Sequence, residues 1–191
     1  MRKLKLQVQI TLDGFIAGPN GEMDWIMVDW DEALKEYVTA LTEPVDCIIL
    51  GRKLAEGFIP HWTSVAADPN NPEVEAGKKF TDTPKIVITR SFSESPWANT
   101  TLATGTIAEE VSQLKKQEGG DLIVYGGADL VSSLIKEGLI DEYHLFVNPI
   151  AMGQGKSIFG ALSEKLPLAL IHATAFDSGI TVLCYAPQTG E

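Results

Sequence analysis

Glycine and arginine residues follow three short apolar segments of this chain, and together they could bind phosphate groups. The three clusters are Gly51-Arg52-Lys53, Thr89-Arg90-Ser91 and Gly126-Gly127. Arginine can bind a phosphate through two parallel hydrogen bonds, and glycine lets a phosphate approach the backbone because it has no Cβ. The clusters would suit a ligand with several phosphates, such as a dinucleotide that carries an additional 2′-phosphate. Each cluster alone could equally be a polar strand end or an ordinary turn.

The glycine pair lies between a predicted strand and a predicted helix. Residues 122–125 are apolar and typical of a strand, and apolar residues then recur at helical spacing at Leu130, Val131, Leu134 and Ile135. The free N–H groups and positive dipole end of such a helix favour an anion, so we expect this turn to hold a pyrophosphate. In open α/β sheets, ligands bind beyond the carboxyl ends of the strands. The three clusters should therefore form one groove.

The N-terminal segment predicts a strand with one apolar and one polar face. Residues 3–12 alternate strictly, and the polar face carries Gln7, Gln9 and Thr11. A central strand covered on both sides would be apolar throughout, so the polar face should contact something other than the core. It could face solvent, or these three side chains could line a cleft for a polar ligand.

A glycine-rich loop follows this strand and should be mobile and exposed. It covers residues 13–21 and contains Pro-Asn-Gly, which is typical of a turn. After the loop, Asp29 and Glu32 have the spacing of a capping box, which predicts a helix whose apolar side runs to Leu41.

The rest of the chain predicts strands alternating with helices. We expect strands at residues 45–50, 85–88 and 141–150, a short helical turn at 54–58, an irregular segment at 63–83, a helix at 106–118 and a terminal hairpin at 168–186. This order predicts an α/β fold with a mostly parallel sheet and an antiparallel edge. The length fits one domain over residues 1–191.

Composition excludes several classes of function. A formal net charge of -11 disfavours nucleic-acid binding, which needs many Lys and Arg contacts. Cys47 and Cys184 lie in apolar segments and should be buried thiols, and the three histidines lack zinc-site spacing, so we predict no metal site. The N-terminus lacks the continuous apolar stretch of a signal peptide, and no segment reaches the ~18 apolar residues of a membrane span. We expect a soluble cytoplasmic protein.

Six motifs in this order resemble the dihydrofolate reductase-like superfamily. They are residues 11–17 (TLDGFIA), 51–53 (GRK), 85–90 (KIVITR), 126–128 (GGA), 139–143 (LIDEY) and 149–159. The match is closest to the C-terminal reductase domain of bacterial riboflavin biosynthesis enzymes. The resemblance implies a central sheet of about eight mostly parallel strands flanked by helices, NADPH lying across the strand ends, and a homodimer in many members.

The resemblance also implies roles for individual residues. For the cofactor, Gly51, Arg52 and Lys53 would contact phosphates, Thr89, Arg90 and Ser91 the adenosine 2′-phosphate, Gly126, Gly127 and Ala128 the pyrophosphate, and Ile16 and Ala17 the nicotinamide. The loop after Ala17 would be a lid, and Trp25 matches the tryptophan that follows the lid in dihydrofolate reductases. The candidate proton donors are Asp31, an approximate match to a helix acid of the family, and Asp13, which could instead stabilise its own turn.

These observations predict an NADPH-dependent reductase that transfers a hydride to a pyrimidine- or pteridine-type small molecule. The best named substrate is 5-amino-6-(5-phosphoribosylamino)uracil of riboflavin biosynthesis, with Gln7, Gln9, Thr11 and Trp25 as its contacts. One alternative is dihydrofolate reductase, which would need an apolar pterin slot. Another is a dimeric nucleotide-binding module that has the fold without the catalysis.

Overall fold

A computed structural model describes residues 1–188 and contains an eight-stranded sheet flanked by helices. The last three residues of the predicted domain, 189–191, lie outside the described residues. In chain order the elements are β1 (Leu4–Thr11), α1 (Glu32–Thr42), β2 (Val45–Gly51), α2 (Arg52–Ala67), α3 (Val74–Asp82), β3 (Lys85–Ile88), β4 (Thr100–Ala103), α4 (Ile107–Lys116), β5 (Asp121–Val124), α5 (Ala128–Lys136), β6 (Glu142–Asn148), β7 (Leu168–Ala175) and β8 (Thr181–Pro187).

The strands lie in the order β4-β3-β2-β5-β1-β6-β8-β7. From β4 to β6 all neighbours are parallel, whereas β8 is antiparallel to both β6 and β7. The predicted α/β class, the mostly parallel sheet and the C-terminal antiparallel hairpin are therefore confirmed. After β2 the chain moves towards β3, and after β5 it moves the opposite way towards β6. Such a reversal leaves a crevice at the carboxyl ends of the strands.

Helices cover both faces of the sheet, which explains why the inner strands are buried. Apolar side chains of α4 and α5, such as Val111 and Leu134, pack on the face that carries Leu6 of β1. On the opposite face, Leu34 of α1 and Ile59 of α2 pack with strand residues, and Phe80 of α3 lies against the same cluster. The core is thus two apolar layers separated by the sheet.

The polar face of β1 is covered as well, so the expectation that solvent could cover it is wrong. Strand β1 is an inner strand of the sheet, and α1 covers this face, with the Lys5 Nζ 3.5 Å from the Leu41 carbonyl of that helix. Lys5, Gln7 and Thr11 are buried, and Lys5 offsets the cost by an ion pair with Asp121 at 2.9 Å. Leu12, which the alternation placed on the apolar face, lies beyond the strand and is 72% exposed.

The irregular segment predicted at residues 63–83 is instead largely helical. Helix α2 continues to Ala67 with Pro60 inside it, and α3 follows from Val74. Aromatic packing outweighs the helix-breaking residue: Phe58 stacks on Tyr125 with ring centroids 5.4 Å apart, and the rings of Phe80 and Trp62 have centroids 4.4 Å apart. Strand β4 was not predicted, because its sequence (TTLA) has no strong apolar alternation. It is an edge strand that pairs only with β3.

Helix α1 begins later than the capping box predicts. Its N-cap is Asp31 rather than Asp29, and the Asp31 side chain accepts a hydrogen bond from the Leu34 N–H. Aspartate at the N-cap satisfies one of the free N–H groups of the first turn. This shift gives a structural role to one of the two candidate proton donors.

Candidate active site

The three predicted phosphate-binding clusters lie at neighbouring strand ends. Strands β3, β2 and β5 are adjacent and parallel, with Gly51 paired to Ile88 and Ile49 paired to Val124. In this register Gly126 lies opposite Gly51. On the other side of β2, Thr89 comes one residue after Ile88, the partner of Gly51. The sheet brings the clusters together at the carboxyl ends of its strands, as the sequence predicts.

Two helices begin at these strand ends without side-chain caps. The N-cap residues of α2 and α5 are Gly51 and Gly127, whereas α1 and α4 are capped by the side chains of Asp31 and Thr106. A Cβ added to Gly51 would lie 3.6 Å from Cβ of Leu130, so the start of α5 packs against the end of β2. Both helices direct uncapped N–H groups and a positive dipole end at the same crevice.

Glycine keeps the turn before α5 open. Gly126 and Gly127 have φ of 122° and 85°, which side-chain-bearing residues rarely adopt. A Cβ on Gly127 would have no atom within 4 Å, so the space in front of the helix is free of protein. A Cβ on Gly126 would lie 3.9 Å from Val8 Cγ2, which places the turn directly beside β1.

The cationic side chains at these strand ends differ in their contacts. Arg52 forms an ion pair with Glu56 one turn further along α2, with Nη1 and Oε1 2.6 Å apart. Arg90 is exposed and has no ion pair within residues 1–188, and Lys53 is also exposed. Thr89 is buried, and its Oγ1 accepts a hydrogen bond from the Ser91 N–H at 3.0 Å, which shapes the turn that presents Arg90.

Two glycine-rich loops meet beside the carboxyl end of β1. The carboxylate of Asp13 accepts hydrogen bonds from the N–H groups of Met152 and Gly153, and the Thr11 hydroxyl donates to it at 2.6 Å. The Thr11 hydrogen bond and those two N–H groups lower the pKa of Asp13 to about 2. Asp13 is therefore ionised at neutral pH, and its contacts tie one loop to the other.

Ile16 and Ala17 belong to the same junction. The Ile16 N–H donates to the Lys156 carbonyl at 2.9 Å, and the Lys156 N–H donates to the Ala17 carbonyl at 2.8 Å. Both side chains are buried. A Cβ on Gly155 would clash with the Ala17 carbonyl oxygen, so this close approach requires glycine. Contact of Ile16 and Ala17 with a nicotinamide stays a prediction.

Asp31 uses both carboxylate oxygens within the protein. Besides capping α1, it accepts a hydrogen bond from the Ser178 N–H of the β7–β8 turn at 2.8 Å. Hydrogen bonds from Ser178 and Leu34 lower the pKa of Asp31. A proton donor needs a raised pKa at neutral pH, so these contacts oppose the predicted role of Asp31 as an acid, which stays untested.

Three of the four predicted substrate residues, Gln7, Gln9 and Thr11, share one face of β1 but differ in their hydrogen bonding. The Thr11 hydroxyl is engaged within its own loop, since it also accepts from the Phe15 N–H. Gln7 is buried, and its Oε1 has no hydrogen-bond partner in the part of the chain that the structure describes. Gln9 is half-buried and bonds to Asn148. The Trp25 Nε1 is buried and lacks a partner among residues 1–188.

Asn148 is a site residue that the sequence analysis missed. It ends β6 beside Gln9, is fully buried, and accepts a hydrogen bond from the Met27 N–H at 3.1 Å. It therefore connects the sheet to the segment before α1. An amide immediately before a proline at the end of a strand was the available signal, because the proline ends the strand there.

A further polar cluster lies deeper on the same face of the sheet. The Tyr37 hydroxyl is 2.7 Å from Nδ1 of His144 and 3.1 Å from Nε2 of His172. Burial lowers the pKa of His144, which favours its neutral form. Both histidines are packed in strands, and no group of three or more potential metal ligands is found within residues 1–188. None of the helices in this described part of the chain has the length and apolar character needed to cross a bilayer.

Comparison with known proteins identifies the family. Residues 2–182 match the RibD C-terminal domain family. The chain belongs to this family. It is 34% identical over 187 residues to the uncharacterised protein YyaP of Bacillus subtilis (strain 168), covering 96% of this chain and 94% of YyaP. It is 29% identical over 172 residues to the riboflavin biosynthesis protein RibD of Corynebacterium ammoniagenes, covering 86% of this chain and 47% of that protein.

A solved structure agrees with this assignment. The deaminase and 5-amino-6-(5-phosphoribosylamino)uracil reductase of Thermotoga maritima has a TM-score of 0.69 to this chain at 20% identity, covering 98% of this chain and 57% of that protein. This likeness shows a shared fold. The predicted resemblance to the riboflavin-pathway reductase branch is confirmed, and the RibD C-terminal domain family is a family of reductases.

Proposed function

We propose that this protein is an NADPH-dependent reductase that acts on a pyrimidine- or pteridine-type heterocycle. One observation carries the proposal: the uncapped N-termini of α2 and α5 meet in a glycine-lined crevice that borders β1, the strand of Gln9. A phosphate-binding region beside a polar strand face is the arrangement that a dinucleotide-dependent reductase needs. Membership of a reductase family supports it.

The residues of the crevice fit a dinucleotide with an additional phosphate. The open space at Gly127 and the first turn of α5 would take the pyrophosphate, together with Gly126 and Ala128. The start of α2, with Gly51, Arg52 and Lys53, would contact phosphates as well. Arg90, which is exposed and lacks an ion pair among the described residues, would hold the 2′-phosphate with Thr89 and Ser91. When bound, NADPH would supply a hydride to the substrate.

The substrate would lie over the carboxyl ends of β1 and β6, against Gln9 and Trp25. The Thermotoga maritima protein of the same fold is named for 5-amino-6-(5-phosphoribosylamino)uracil reduction, so this compound is the first substrate to assay. Dihydrofolate is the second. The residues of the chain would orient the substrate towards the nicotinamide. The proton that accompanies the hydride would come from a water molecule, because the hydrogen bonds that keep Asp13 and Asp31 ionised make both carboxylates poor acids.

A thermal shift separates this function from its alternatives. A ligand at 100 times its Kd adds about 2.7 kcal/mol of stability, which should raise the Tm by roughly 5–10 °C for a chain of this size. We expect this rise with NADPH and a much smaller one with NADH at the same concentration. Equal shifts, or no shift, would contradict the proposal. NADPH binding without oxidation across a panel of pterins and ribosylated pyrimidines would favour the non-catalytic nucleotide-binding module.

A homodimer is part of the proposal. Strand β7 lies at the sheet edge and exposes Leu170 and Ile171, which are 57% and 51% accessible. The strand has no charged residue (LALIHATA), although charges normally protect exposed strand edges from association. A second copy that covers this edge would bury both side chains. We also propose a cytoplasmic location, because NADPH and two free cysteines suit a reducing compartment.

A further inference from the structure

Gln9 and Asn148 lie at the carboxyl ends of neighbouring strands and share one hydrogen bond. In the parallel pairing of β1 with β6, Gln9 is opposite Phe146 and Thr11 is opposite Asn148. The Asn148 Nδ2 donates to the Gln9 Oε1 at 2.7 Å. Asn148 has no exposed surface, whereas Gln9 is half-buried. The space beside Gln9, over the carboxyl ends of β1 and β6, is the proposed substrate cleft.

Backbone groups determine which way the Asn148 amide points. Its Oδ1 accepts from the Met27 N–H at 3.1 Å, and its Nδ2 also donates to the Phe146 carbonyl at 3.0 Å. A backbone N–H can only donate and a carbonyl can only accept, so turning the amide over would break both bonds in a buried place. The usual ambiguity between amide oxygen and nitrogen is therefore absent here.

The orientation of Asn148 in turn determines that of Gln9. Because Nδ2 of Asn148 is a donor, Gln9 must present its oxygen to it, and the Gln9 Nε2 then points away from Asn148. Within residues 1–188, no acceptor is bonded to that nitrogen. Gln9 consequently offers hydrogen-bond donors to whatever occupies the cleft.

We infer that Asn148 is a positioning residue that makes Gln9 a donor towards the substrate, which therefore places a ring carbonyl against Gln9. The inference rests on the proposed function and specifies its substrate class: oxo-substituted heterocycles are accepted, and analogues with an amino group at that position are rejected. Two facing donors would leave a partly buried polar group unpaired.

Pterin and 2,4-diaminopteridine are suitable probes, because they differ by an oxo and an amino group at one ring position. Their Kd values should be measured by fluorescence titration in the presence of NADP⁺. We expect the wild-type protein to bind pterin at least about tenfold more tightly. Equal binding, or equal failure to bind, would overturn the inference.

Asn148→Asp tests the positioning role. The aspartate can still accept from the Met27 N–H, but its second oxygen can only accept, so Gln9 should turn and present its oxygen to the cleft. We expect the preference to reverse in favour of 2,4-diaminopteridine.

Gln9→Glu, which offers no donor, should lose the preference for pterin even if Asn148→Asp fails to fold. Gln113→Glu, an exposed site on α4, is the matched control and should preserve the wild-type ratio. An unchanged ratio in both Asn148→Asp and Gln9→Glu, with normal NADP⁺ affinity, would overturn the inference.

A measurement without ligand separates this inference from the proposed function. In ¹⁵N-labelled protein, both side-chain amide protons of Asn148 should be protected from exchange with water, and those of Gln9 should exchange. The opposite pattern would refute the positioning of Gln9 whether or not NADPH binds. Failure of NADPH to bind alongside the expected pattern would instead refute the reductase.

Discussion

Asp13 and Gly153 lie 140 residues apart and are joined by a 2.6 Å hydrogen bond from the Gly153 N–H to the Asp13 carboxylate. With the Met152 N–H bound to the same carboxylate, this contact joins the loop after β1 to the loop after β6. The two loops border the proposed substrate position. They are also paired through the backbones of Ile16, Ala17 and Lys156, so the ionised carboxylate adds to the contacts that hold them together.

Asp13→Asn should change how stability depends on pH. The hydrogen bonds of Asp13 lower its pKa from 3.8 to about 2, so its contribution is present above about pH 4 and is lost as the pH falls through 2. Asparagine does not titrate, so the variant should lose this part of the decrease in Tm between pH 4 and 2. Asp24→Asn, a nearby exposed acid, is the control and should follow the wild-type curve. Parallel curves for Asp13→Asn and wild type would show that the carboxylate does not join the loops in solution.

Asp31→Asn distinguishes a capping role from an acid role. Asparagine caps a helix about as well as aspartate. Its amide has only one oxygen, however, so it cannot also accept the hydrogen bond from the Ser178 N–H. We expect a lower Tm and a kcat within a few-fold of wild type, measured by NADPH oxidation with the best substrate. A loss of a hundredfold or more, with a shifted pH profile, is the size expected for a general acid and would establish Asp31 as the proton donor.

Gly127→Ala should block cofactor binding. The added methyl group would occupy the open space in front of α5, and the positive φ would strain the backbone by about 1–3 kcal/mol. Gly138→Ala is the matched control, because Gly138 lies at the other end of α5, also has positive φ and also has open space at its Cβ position. Both variants should lose stability, but only Gly127→Ala should lose the increase in Tm with NADPH. A similar increase in both would exclude the turn as the pyrophosphate site.

Arg90→Ala should abolish the preference for NADPH over NADH. The exposed guanidinium would contact the 2′-phosphate, which NADH lacks, so we expect the Kd for NADPH to rise to that for NADH. Arg52→Ala is the comparison, since a contact to the shared phosphates should weaken both cofactors alike. Calorimetric titration of each cofactor into the wild type and the two variants measures the six affinities. If Arg90→Ala keeps the wild-type ratio, another residue recognises the 2′-phosphate.

Ile171→Lys should dissociate the proposed dimer. A charge on the exposed edge of β7 would be buried unpaired if a second copy covered it. We expect light scattering to give a dimer for wild type and a monomer for the variant. Leu12→Lys, which changes another exposed apolar residue, should remain dimeric. A wild-type monomer at micromolar concentration would contradict the proposal.

Local patterns predicted the parts of the fold that local chemistry determines. The glycine turn at Gly126, the cap at Thr106 and the C-terminal hairpin were all visible because each follows from backbone geometry or from hydrogen bonding within a few residues. The helical segment around Pro60 was not visible. Its stability depends on Tyr125 and Phe80, which are distant in sequence.

The candidate site divides in the same way. Phosphate binding at the strand ends stays a prediction, but the convergence of the glycine and arginine clusters there could be predicted because they follow successive parallel strands. The role of Asn148 could not, because it depends on Met27 and Gln9 reaching it from other parts of the chain. Asp13 and Asp31 were the candidate proton donors in the sequence, with turn stabilisation as the alternative for Asp13, and the folded structure shows that backbone N–H groups bind both carboxylates.

The placement of β1 in the middle of the sheet has a consequence for biosynthesis. The Leu4 N–H bonds to Asp141, 137 residues later, and β1 acquires its second neighbour only when β6 is available. The first strand is therefore synthesised long before its partner strands, and its alternating apolar side chains stay exposed until those strands are available. We expect folding to be largely post-translational, with this strand as the segment that chaperones recognise on the nascent chain.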